Sequence, residues 1–182
     1  MLMQNSFSGP ASPDQVWKYF QDFKAVAACA PGAELTSQAG NQVKGKVSVK
    51  MGPVKLGFAG TVDIVERNDA AKRMVLNASG GETSGKGQAT AKVTMQITPS
   101  GNGSTVNVSQ DIAMSGAVAQ FGRGMMEDVT GAMMKQFADC IAGAIKSGGR
   151  APVGGPKAVS GFSLMLISIK SFFKRLFGGG RK

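Results

Sequence analysis

Apolar residues recur along this chain with two different periods, and the switch between them divides it into elements. From Val118 to Ile145, Val118, Phe121, Met125, Val129, Met133, Phe137, Ile141 and Ala144 fall at steps of three and four, which predicts one long amphipathic helix. Its opposite face carries Gln120, Arg123, Glu127, Asp128, Lys135 and Asp139. Ahead of it the period is two. Val43, Val47, Val49 and Met51 alternate with lysines and Ser48, and past the Gly52-Pro53 turn Val54, Leu56, Phe58, Val62 and Ile64 alternate with smaller or polar residues. A weaker strand over 72–80 turns Met74, Leu76 and Ala78 inward. Strands over 85–98 and 105–114 follow, with 99–103 as their hairpin. The glycine-rich GGETSGKG at 80–87 lacks phosphate-loop spacing and lies between two strands, so it reads as a hairpin.

The N-terminal residues, 1–7, predict a further strand. Ser12-Pro13 supplies a helix start, with Val16, Trp17 and Phe20 on its apolar face, and a second short helix spans 23–30 before Pro31 and Gly32. The result is an α+β domain over 1–147: an antiparallel sheet with one wet face, whose other face only the long helix can cover.

Charge alters this reading at the C-terminus. The chain has a net charge of +10 from 21 basic and 11 acidic residues, but no acid follows Asp139, and seven of the basic residues lie at Arg150 or beyond. The body is thus near neutral and the tail strongly basic. Residues 148–160, GGRAPVGGPKAVS, have the composition of a flexible linker, with a root-mean-square span of roughly 20 Å. In 161–182, Phe162, Met165, Leu166, Ile169, Phe172, Phe173, Leu176 and Phe177 share one helical arc, and Lys170, Lys174 and Arg175 share the other. The longest uninterrupted apolar run there, Leu164 to Ile167, falls far short of the roughly 20 residues of a transmembrane helix. It fits an in-plane amphipathic helix on anionic lipids, with a fold-back onto the domain or an oligomer contact as alternatives. Basic residues interleaved with phenylalanines, beside a near-neutral body, argue against a nucleic-acid partner.

Candidate chemistry is sparse. The chain has no histidine, and Cys29 and Cys140 belong to no CxxC pattern, which argues against a zinc site or a histidine-based triad. The N-terminal MLMQNSFSGP has neither a basic n-region nor a long apolar run, so a cytoplasmic body with reduced thiols is expected. No catalytic residues and no metal ligands are identified. The inward face of the sheet is either ordinary core or a cavity. Two features favour a cavity: Ala78, Ala89 and Ala91 are small where large residues are usual, and methionines are plentiful as adaptable lining.

CAPGAEL at 29–35, VKMGPVKLGFAGTVDI at 49–64, GKGQATAKV at 85–93 and GAVAQFGRGMMEDV at 116–129 resemble the carbon monoxide dehydrogenase G-subunit (CoxG) family, within the START-like (SRPBCC) helix-grip superfamily. The resemblance spans about residues 1–147. It implies a sheet wrapped around the long helix over an apolar cavity, and an accessory protein, not an enzyme, whose partner is a molybdenum hydroxylase of the carbon monoxide dehydrogenase type. With the tail, it implies a protein peripheral on the cytoplasmic face of the cell membrane. A membrane-tethered cavity is expected to bind a lipophilic respiratory quinone, menaquinone or ubiquinone, non-covalently and to present it to the enzyme for electron transfer. The expected lining is Phe58, Leu76, Ala91, Met95, Met114, Phe121, Met125, Val129 and Met133. The alternative is a cargo-free factor that anchors the dehydrogenase.

Overall fold

The computed structural model describes residues 1–148; the expected linker beyond Gly148 and the whole tail, 161–182, lie outside the described residues. The order is β1 (Leu2–Gly9), α1 (Pro13–Phe20), α2 (Phe23–Cys29), then β2 (Ala33–Ala39), β3 (Gln42–Met51), β4 (Val54–Asn68), β5 (Arg73–Glu82), β6 (Gly87–Ser100), β7 (Gly103–Gly116), a 3-10 turn (Ala117–Gln120) and α3 (Arg123–Lys146). Among the described residues, seven strands form one antiparallel sheet in the order β1-β7-β6-β5-β4-β3-β2. The one non-sequential pairing in that sheet is β1 on β7, which the two short helices make possible by carrying the chain from one edge to the other.

Local sequence explains the helices between those edges. Ser12 closes a capping box with Gln15 and Pro13 opens the first turn, so α1 starts at a fixed point. Trp17 Nε1–H donates to Asp69 Oδ1 at 2.9 Å and ties α1 to the β4–β5 turn. Asp22 caps α2 by accepting from the Ala25 amide at 3.0 Å.

The long helix is shorter and differently phased than the periodicity predicts. Phe121 and Gly122 are extended, with ψ of 116° and 159°, and they separate the 3-10 turn from α3. Within α3, strict four-residue steps drift by about 40° each, so Met125 lies far around the helix from Ile141; Met126 is buried and Met125 is 42% exposed, the reverse of the predicted stripe. Further along, Phe137, Ile141 and Ala144 do pack inward as expected.

Among strands, α3 packs chiefly on β1, an edge of the sheet, and on β3, near the opposite edge. The sheet therefore curls around the helix, and its centre stands away from it. Close strand approach helps the sheet to curl: a Cβ on Gly60 would sit 1.9 Å from the Ser79 carbonyl oxygen, and Gly60 pairs with Gly80.

The core consequently divides in two. One cluster joins α1, α2 and the C-terminal half of α3 to Met74, Met95, Ile97, Val106 and Val108. The other joins Met3, Leu56, Val118 and Met126, with Val49, Phe58, Met114, Phe121 and Val129 packed around them. In the first cluster Cys29 and Cys140, expected to be separate reduced thiols, are joined by a disulfide across 111 residues of sequence, with Cα atoms 5.4 Å apart. Their spacing in sequence carries no sign of this, because the fold brings α2 against α3.

Glu82 is buried at the end of β5, where its Oε2 accepts from the Ser84 hydroxyl at 2.6 Å, the Ser84 amide at 2.9 Å and the Lys86 amide at 3.1 Å. These bonds, the Ser84 hydroxyl first, hold its carboxyl below the usual glutamate range. With the folded pKa below the unfolded one, the stabilisation is complete above the ordinary value of about 4.3 and fades as pH falls through the lower folded value. Glu82→Gln is accordingly expected to lower the melting temperature at neutral pH and to flatten its decline on acidification; thermal melts from pH 7 to about 3 measure both.

Candidate functional site

Between the two core clusters lies a hollow of about 460 Å³. Its floor is the inward face of β2 to β6, with Ile112 from β7, and its roof is α2, through Phe23, Val26, Ala27 and Ala30. The volume comes from small inward residues at the middle of the sheet: Gly45, Gly60, Ala78, Gly80, Ala89 and Ala91. Two of these face each other directly, since Ala78 pairs with Ala91. Val43, Val47, Phe58, Val62 and Leu76 complete a lining that is overwhelmingly apolar and only half-buried, so the hollow is reachable from solvent. A hollow of this size is typical for a small-molecule ligand.

Charge is confined to the rim, where Glu34 and Lys46 stand opposite each other on β2 and β3. Thr61, Ser79 and Thr90 add hydroxyls. Such a surface offers desolvation and shape to a guest, and at its edge a place for one polar group. A smaller groove of about 140 Å³ adjoins β3 on the other side of the α2–β2 connection, lined by Pro31, Val49, Lys50, Asp128, Val129, Ala132 and Met133 among others.

The residues predicted as lining divide among these places. Phe58, Leu76 and Ala91 line the main hollow. Val129 and Met133 line the smaller groove. Met95 is buried in the first core cluster, Met114 and Phe121 pack against the second, and Met125 faces outward. The wall expected from α3 thus does not line the main hollow, and the roof is α2, which sequence reasoning did not assign to the site. The signal for it was the run of small residues in FKAVAACA, too short to show a helical face.

A curled antiparallel sheet gripping a C-terminal helix, with an apolar hollow beside it, defines a START-like helix-grip protein. Solved structures agree on the fold. A conserved protein from Geobacillus kaustophilus superposes with a TM-score of 0.72 at 17% identity, covering 81% of this chain and 96% of that one. The Zhui aromatase/cyclase from a Streptomyces species gives 0.59 at 12% identity, covering 85% and 98%. A START superfamily protein from Mycobacterium smegmatis gives 0.56 at 13% identity, covering 80% and 97%. No curated protein matches the sequence significantly. The sequence does match the profile of the carbon monoxide dehydrogenase G-subunit (CoxG) family over residues 6–146, and the chain belongs to that family.

Proposed function

We propose that this protein is a lipophilic carrier that serves a molybdenum hydroxylase of the carbon monoxide dehydrogenase type. The body takes a respiratory quinone, menaquinone or ubiquinone, into the hollow beneath α2 and presents it to the enzyme as electron acceptor. The basic amphipathic tail keeps the protein peripheral on the cytoplasmic face of the membrane in which the quinone dissolves. The reading is carried by the 460 Å³ apolar hollow, built from alanines and glycines at positions where a packed core would hold large residues. Among the described residues no helix is long and apolar enough to cross a membrane, and the tail's sequence favours in-plane attachment. The partner comes from the family, which is named as a subunit of carbon monoxide dehydrogenase.

The test is organic extraction and mass spectrometry of the full-length protein purified from its native host without detergent. A quinone near one equivalent is expected. Its absence, with the hydroxylase still co-purifying, would instead support cargo-free recruitment of the enzyme to the membrane.

A further inference from the structure

Two facing lysines without an ion pair among the described residues and four exposed apolar side chains gather at one end of the sheet. Through residue 148 the chain holds 14 basic and 11 acidic residues. Residues 35–62 contain Lys44, Lys46, Lys50 and Lys55 and no acid, so that window supplies four positive charges while the remainder of the body sums to −1. Several cations elsewhere are answered: Lys72 by Asp14, Arg67 by Asp69, Arg73 by Glu66, Arg123 by Glu127 and Lys135 by Asp139. The four lysines are exposed and form no ion pair among the described residues. Lys50 and Lys55 pair directly across the hairpin, just below its Gly52-Pro53 tip, so like charges are held side by side at a cost that an anionic partner would relieve.

Apolar exposure falls in the same region. Val54 is 36% exposed at the tip, Met125 42% at the start of α3, and Met1 and Leu2 36% and 53% at the start of β1. These segments are held together by the second core cluster, in which Met3, Leu56 and Met126 meet. The fifth large exposed apolar residue among those described, Val65, lies on β4 beside the bulge near the opposite end.

We propose that this end of the body is a second membrane contact, in which Val54 and Met125 enter the headgroup boundary of an anionic bilayer and Lys50 and Lys55 meet lipid phosphates. Exposed apolar side chains beside the paired Lys50 and Lys55, with Asp128 the acid that shares the smaller groove with Lys50, match a surface that is anionic outside and apolar beneath, whereas an acidic protein surface leaves Val54 and Met125 without a partner. The contact places the β3 edge of both hollows, which Lys46 and Lys50 border, against the source of the cargo. In this respect it rests on the carrier reading. Simultaneous docking of the tail is geometrically possible: α3, with 24 residues, is about 36 Å long, and the 13 residues of 148–160 extend to about 45 Å.

The experiment is partition of the full-length protein onto phosphatidylcholine vesicles with and without phosphatidylglycerol. At about 1 kcal/mol per basic residue, Lys50→Gln with Lys55→Gln is expected to weaken binding to the anionic vesicles by roughly thirtyfold and to leave the residual binding to neutral vesicles unchanged. Orientation is read from Val54→Trp with brominated lipid chains. The introduced indole at the hairpin tip is expected to be quenched, while Trp17, tied to the β4–β5 turn at the far end, is not. Unchanged partition with no quenching at the hairpin tip would overturn the proposal, as would lysine variants that lose only the hydroxylase and keep full vesicle affinity. Loss of the carrier reading is separately visible as a protein that docks but yields no extractable lipid.

Discussion

Cys140→Ser, or reduction of the parent protein, is expected to lower the free energy of unfolding by about 2–5 kcal/mol. The bond closes a loop of 111 residues of sequence separation, and chain-entropy arguments place such a loop near the top of that range. Cys29 is fully buried, and its sulfur lies 3.4 Å from the Tyr19 hydroxyl, so the thiol left there in Cys140→Ser stays inside the first core cluster. Urea melts with and without a phosphine reductant measure the effect. The parent protein under reductant should match Cys140→Ser, and a reductant-insensitive parent with an unaltered variant would show that the bond contributes nothing. Because the bond fastens α2, the roof of the hollow, to α3, reduction should also raise hydrogen exchange in 23–29.

Filling the hollow should separate binding from stability. Ala91→Phe places a ring between the facing alanines and the α2 roof. The expected outcome is at least a tenfold loss of affinity for a lipophilic fluorescent probe, with stability unchanged or raised by about 0.5–2 kcal/mol, as when a vacant apolar site is filled. A packed core would give the opposite sign, with about 1–3 kcal/mol lost to overpacking. Calorimetry together with a probe titration on one protein sample therefore decides whether the space beneath α2 is a site or merely loose packing. Loss of stability with retained probe binding would place the cargo elsewhere, the smaller groove lined by Val129 and Met133 being the next position to substitute.

The local devices were legible because each is written within a few residues. Alternation over 42–64 and 85–114 gives the strands, Ser12-Pro13 gives the start of α1, and Gly52-Pro53 gives a hairpin tip. The small inward alanines marked the hollow correctly, since Ala78, Ala89 and Ala91 all line it. The start of the long helix was not legible, because whether Phe121-Gly122 continues or interrupts a helix depends on where the preceding strand delivers the chain. The inward face near that start was not legible either, because four-residue steps drift by about 40° each, and Met126, not Met125, reaches the core.

The order and period of the elements and the separation of a near-neutral body from a basic, phenylalanine-rich tail follow from side-chain spacing and composition, and the family from the resemblance of a few short motifs. Those properties need no partner elsewhere in the chain. Only folding settles that Cys29 meets Cys140, that α2 and not α3 roofs the hollow, and that Lys50, Lys55, Val54 and Met125 share one end of the body. Each of these is a contact between distant segments. Such contacts arise because the sheet curls to reach α3 from both sides and leaves its centre to the two short helices.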